Sequence, residues 1–194
     1  MPYSVSDVKL SRRQPLLYAL EQTLDLLESR FEVDKVLLLL ESGLVLCRFG
    51  LTADDLPLLH DTIAELNVHW GLDGTMRGAE DNLFTWQQAL ERIVLGWMLP
   101  DDGSPLWQNV SAWHGDVNRL DVFGRFAAFI RTLSRLAVEW RKPAAAEEWT
   151  ERCRDLVQSL FLPDADDQYA LQQFEQALAK WQEETALAGF RGTL

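Results

Sequence analysis

Apolar residues recur at intervals of three and four through most of the chain, and that spacing constrains the fold more than any other property of the sequence. It is sharpest in TWQQALERIVLGWMLP, residues 85–100. At roughly 100° per residue, Trp86, Ala89, Leu90, Ile93, Val94 and Trp97 gather on one stripe. Leu95 and Leu99 fall on the far side with Gln88, Glu91 and Arg92, so IVLGWML is apolar all round. A helix of that kind is buried on two sides or offers its second face to a partner. The spacing predicts an interior helix and makes Leu95 and Leu99 candidate interface residues, with Trp107, Trp113 and Trp140 as apolar surface to cover them. Thr85 and Gln88 read as a capping box, each bonding the other's backbone N–H, and Pro100 closes the helix.

The same spacing organises the rest. Ser11 precedes RRQPLLYALEQTLDLLESRF, in which Leu16, Leu17, Leu20, Leu24 and Leu27 form a stripe and Pro15 occupies a permitted early position. VDKVLLLLES predicts a short helix or buried segment ended by Gly43, and GLVLCRF is the one place where a strand can hide. Thr52 caps a helix from about Ala53 to Asn67, with Asp54 and Asp55 in its first turn, where the helix dipole favours acids. Residues 71–84 form a glycine-containing connection, and residues 101–118 a long loop carrying Trp107 and Trp113. Helices follow over about 119–141, 144–161 and 166–188, divided by Pro143 and Pro163. The reading is an all-α multi-helix bundle of six or seven helices.

Charge narrows the function. Lys and Arg number 18 against 30 Asp and Glu, a formal net charge of −12. Free-standing nucleic-acid binders usually carry a basic balance, because neutralising phosphates supplies most of their non-specific affinity. This chain as a whole repels DNA and is expected to reach it only through a local patch or as part of a larger assembly. No run approaches the roughly 18 to 20 apolar residues of a membrane span, and the opening MPYSVSDVKLSRRQ lacks the order of a signal peptide, so a cytoplasmic protein with no membrane partner is expected. Cys47 and Cys153 stand far apart in apolar or helical contexts and are expected to be reduced, packed thiols.

No catalytic motif emerges. His60, His69 and His114, with the two cysteines, match no zinc spacing, and His69 at a helix end reads as capping and packing beside Trp70. Asp164, Asp166 and Asp167 crowd a helix start, where cap and dipole already place acids, and Asp101 and Asp102 sit in a turn. GLDGTMRG has glycines but no following Lys-Ser/Thr and no preceding strand, which excludes a Walker A loop. Neither a catalytic residue nor a cofactor or metal is expected in this chain. The one basic feature lies on DVNRLDVFGRFAAFIRTLSRLAVEWRK, where Val122, Phe126, Phe129, Leu133, Leu136 and Trp140 form the core stripe and Arg131, Arg135 and Lys142 gather opposite. That face is either solvated, with arginine stems lying over neighbours, or a stripe for the DNA backbone.

The order of segments carries a resemblance. PYSVSD, a basic pair, QPLLYALEQTLDLLESRF and VDKVLLLLE, then VHWGLDG, TWQQALERIVLGWMLP and EEWTERCRDLVQSLFLPD, resemble in order and spacing an internal region of the RecC family, the gamma subunit of bacterial exodeoxyribonuclease V (RecBCD). The likeness spans nearly the whole chain and rests on tryptophan-marked blocks and the FLPD punctuation, none of them catalytic. It implies an internal fragment: residues 1–30 ending the second helicase-like lobe or its connecting helix, and residues 31–194 forming the helical insertion, the 2B-type subdomain of superfamily 1 helicases. It further implies a non-catalytic scaffold in double-strand-break repair and homologous recombination, with RecB-like and RecD-like subunits and the rest of RecC as partners and DNA reached through the complex. ATP-dependent nuclease and helicase activity would belong to that complex. The other readings are the equivalent insertion of an AddB-type or related helicase subunit, and an independent helical protein-interaction domain.

Overall fold

The structure is a computed structural model that describes residues 14–100, 106–107 and 110–188. Nine α-helices occur among them: α1 Pro15–Glu28, α2 Val33–Leu40, α3 Gly43–Phe49, α4 Leu56–Leu66, α5 Gly74–Arg77, α6 Trp86–Met98, α7 Leu120–Trp140, α8 Ala146–Leu160 and α9 Gln168–Leu187. The described residues contain no strand, only an isolated bridge between Trp107 and Val110. The fold is therefore all-α, and none of these helices is long and apolar enough to cross a membrane.

The long α7 is the axis of the bundle and packs against α1, α3, α6 and α8, while α9 lies on α1 and α8. Its apolar stripe explains this place: Val122, Phe123, Phe126, Phe129, Ile130, Leu133, Leu136 and Ala137 are all buried, and Trp140 is half-buried at its end. Aromatic rings extend the stripe to its neighbours. Phe126 packs on Trp86 of α6, Phe123 on Trp97 and Trp113, and Phe129 on Phe49 of α3. In α1, Leu16, Ala19, Thr23, Leu26 and Leu27 face the same core, and Thr23 returns its hydroxyl proton to the Ala19 carbonyl at 2.8 Å. Leu24, expected on that stripe, is exposed, because the buried track drifts through Thr23 instead.

Three local expectations change. GLVLCRF is α3, not a strand: Gly43 opens it, and Gly50 in the left-handed region ends it, with the Arg125 guanidinium on the Gly50 carbonyl at 2.7 Å. The connection over 71–84 contains α5, where Asp73 accepts the Met76 N–H at 2.8 Å. The Thr85 cap forms, accepting the Gln88 N–H at 3.3 Å, but the Gln88 side-chain oxygen Oε1 takes the Phe84 N–H at 2.7 Å rather than that of Thr85. Phe84 has a left-handed backbone, which swings its N–H toward Gln88 while Thr85 N–H bonds the Asn82 carbonyl.

Candidate functional site

The question posed by α6 resolves into three faces. The first, with Trp86, Ala89 and Ile93, is buried in the core, and the indole N–H of Trp86 donates to the Phe31 carbonyl at 2.9 Å. Phe31 is itself fully buried with a left-handed backbone, so the indole fixes the sharp turn that follows α1.

The second face is covered by the chain's own loop. Gly96 is buried beneath residues 111–114: an added Cβ would stand 1.7 Å from the Trp113 carbonyl oxygen. The strap is held by Trp113 N–H on the Arg92 carbonyl at 2.9 Å, by Arg92 Nε on the Ser111 carbonyl at 3.2 Å, and by His114 Nδ1 on the Gly96 carbonyl at 3.1 Å. The Trp113 indole then donates to Glu65 of α4 at 2.8 Å, and Arg92 also reaches the Leu66 carbonyl at 3.0 Å. Burial lowers the pKa of Arg92 from its ordinary high value, and the two carbonyls it serves replace the water it loses.

The third face is open. Leu90 and Leu95 are half-buried, Val94 is exposed, and Met98 is 74% exposed. Val94, expected in the core, is thus a surface residue, because the helix turns the Gly96 side toward the strap. With Ile130, Arg131 and Ser134 of α7, the connection around α5, and Trp107 and Val110, this face lines a groove of about 900 Å³. Leu95 and Arg131, candidates for different reasons, both line it. Leu99 is half-buried at the C-cap of α6.

The three basic candidates on α7 have different surroundings. Arg135 is held by α8: its guanidinium donates to Asp155 at 2.6 Å and to the Ser159 hydroxyl at 2.7 Å. Lys142, just past the end of α7, pairs with Glu139 at 2.7 Å. That contact, aided by the charges of Arg152 and Arg135, lowers the pKa of Glu139. Arg131 makes no ion pair with any described residue. Two of the three cations are thus paired in place, Arg135 across to α8 and Lys142 back onto α7.

Asp55 and the Asp164–Asp167 cluster have structural work. Asp55 is buried, and burial alone would raise its pKa; the Thr52 N–H and hydroxyl, at 2.9 and 2.8 Å, and the Arg119 guanidinium outweigh this and hold the carboxyl below the ordinary range. The group closes a cap before α4 and ties it to the turn that starts α7. Asp167, also buried, accepts the Asp164 N–H at 3.2 Å, and Asp164 accepts that of Asp166 at 2.8 Å, so the acidic cluster builds the turn into α9. Asp101 and Asp102 lie outside the described residues. His69 stacks on Phe84 with centroids 5.0 Å apart, and His60 contacts Glu41 at 3.3 Å. Among the described residues, no three His, Cys, Asp or Glu side chains converge to hold a metal ion. Both thiols are free: Cys153 is half-buried, with burial raising its pKa, whereas Cys47 is exposed rather than packed, since α3 is helical and turns it outward.

Comparison with known proteins adds an independent line. The sequence profile of the family described as RecBCD enzyme subunit RecC fourth domain matches residues 13–194. The RecBCD enzyme subunit RecC of Escherichia coli (strain K12) is 30% identical over 191 residues, covering 94% of this chain and 16% of the relative. The subunit of Mycolicibacterium smegmatis is 34% identical over 194 residues, covering 97% of this chain and 17% of the relative. That of Haemophilus influenzae is 28% identical over 167 residues. The chain spans about one sixth of the length of these relatives.

Proposed function

Since the chain belongs to the family of RecC fourth domains, we propose that it is a non-catalytic helical scaffold within a RecC-type subunit, acting in double-strand-break repair and homologous recombination. In this reading the bundle is the counterpart of the 2B-type insertion of superfamily 1 helicases, and α1 is its link to the preceding helicase-like lobe. RecB-like and RecD-like subunits and the rest of the RecC-type subunit are its partners, in the cytoplasm, and DNA is reached through the complex.

The observation that carries the reading is the employment of the polar residues. Asp55, Arg92, Arg135, Arg154 and Asp167 each join two elements or close a cap: Arg154, for example, links α8 to Glu175 of α9 at 3.0 Å. A hydrolytic site needs a nucleophile or activated water, a base and an electrophilic group within reach of one another. Side chains already committed to holding helices together suit a scaffold better than such a set. The net charge of −12 also suits a supporting element better than the wall of a DNA channel.

The test is to assay the purified chain for ATP hydrolysis and for degradation of linear DNA with magnesium, beside the parent complex. The expected result is neither activity from the chain and both from the complex. Metal-dependent nuclease activity that copurifies with the chain and survives repurification overturns the proposal.

A further inference from the structure

The open face of α6 calls for a cover of defined chemistry. Its floor is apolar, with Leu90, Leu95 and Ile130 partly or fully buried and Val94 and Trp107 exposed by 41% and 55%. Its rim is acidic: Asp73, Glu80, Asp81 and Glu91 line it, and none is in an ion pair with a described residue, although Asp73 caps α5, Asp81 accepts the Leu83 N–H and Glu91 accepts from the Gln87 amide. Arg131 is the one described cation lining it, and it too lacks a charged partner. A groove between two helices, apolar along its floor and edged by unpaired charge, suits an amphipathic helix whose apolar side supplies anchors at helical spacing. Charge complementarity fixes the other side, which must present Lys or Arg to the four carboxylates and an acceptor to Arg131.

We propose that this groove seats a basic, apolar-sided helical segment from the remaining chain of the same RecC-type subunit. The inference rests on the reading of this chain as one domain of such a subunit. Relatives are about six times longer, so most of the parent polypeptide lies outside this domain. A tethered segment meets the groove at an effective concentration that reaches the millimolar range, which fills a modest site that a free partner would occupy only in part.

The experiment uses the full-length parent subunit, alone and in its complex, with a benzophenone amino acid in place of Val94 and mass-spectrometric mapping of the photo-crosslink. A control probe replaces Val138, which is exposed elsewhere on α7. The expected result is one dominant crosslink from position 94, already in the subunit alone, to a net-basic segment outside this domain. Reversing Glu80→Lys and Glu91→Lys together lowers its yield at least about threefold, since two exposed charge pairs become repulsive, while thermal stability and the crosslinks of position 138 stay unchanged. A crosslink to a partner subunit, to an acidic segment or to nothing overturns the proposal, as does a yield indifferent to charge reversal. If the native protein proves to be no longer than this chain, the domain reading fails together with the proposal; a long subunit with a bare groove refutes the groove alone.

Discussion

Replacing Gly96 with alanine separates helix propensity from tertiary packing, because the two predict opposite signs. In the interior of a helix, Gly→Ala gains about 1 kcal/mol from propensity alone. At Gly96 the new methyl would stand 1.7 Å from the Trp113 carbonyl oxygen and 2.5 Å from its carbonyl carbon. Both are backbone atoms of a strap fixed to α6 at Arg92 and Gly96, so neither can move aside without breaking bonds. Overpacking costs about 1–3 kcal/mol, and loss of two of the strap's hydrogen bonds adds about 1–3 kcal/mol at the usual net value. After subtraction of the propensity gain, the variant is destabilised by about 1–5 kcal/mol, with Tm lowered by roughly 2–4 °C for each kcal/mol. Gly124→Ala is the control: it lies exposed in α7 with nothing within 4 Å of the new Cβ, and gains up to about 1 kcal/mol. Urea unfolding followed by circular dichroism reads both. Gly96→Ala as stable as wild type, or stabilised like Gly124→Ala, refutes the account of how the second face of α6 is covered.

Other residues give independent tests. Trp86→Phe removes the N–H that serves the buried Phe31 carbonyl and leaves a void, costing about 2–4 kcal/mol by chemical denaturation; a loss below half a kcal/mol argues against that anchor. The folded pKa of Asp55 lies below its unfolded value near 3.8, so its stabilisation is fully present above that value and is lost as pH falls through the folded pKa. Asp55→Asn therefore flattens the dependence of stability on pH below about pH 4, and an unchanged slope contradicts the assignment. Arg135→Ala loosens the half-exposed clamp to α8 by at most about 1 kcal/mol, whereas Arg131→Ala stays within about 0.5 kcal/mol of wild type. If both substitutions together leave the salt dependence of DNA binding by the parent complex unchanged, α7 is confirmed as a packing helix; a shallower slope makes it a phosphate contact.

The bundle was legible because long helices with one buried stripe leave a periodic record. The stripe of α7 was readable almost residue by residue, and helix ends fell within about a turn of the observed ones. GLVLCRF was ambiguous for a physical reason: a short apolar run buried on most sides has no period to distinguish helix from strand. The faces of α6 were harder. A glycine in the middle of an apolar helix is a signal of close approach, but its partner, the Trp113 backbone, is irregular chain without any pattern of its own. For the same reason the exposure of Val94 was not foreseeable, since it follows from which side the strap takes. That Arg131 and Leu95 line one groove shows only in three dimensions, because periodicity orders residues within a helix and says nothing of which helices adjoin.

The scaffold role is tested most directly by assembly. The parent RecC-type subunit lacking residues 15–188 would be mixed with the proposed RecB-like and RecD-like partners and followed by analytical ultracentrifugation. The account predicts that the stable three-subunit species is lost while ATP hydrolysis by the RecB-like subunit alone persists. A complex of unchanged stoichiometry that unwinds DNA at the wild-type rate would contradict it.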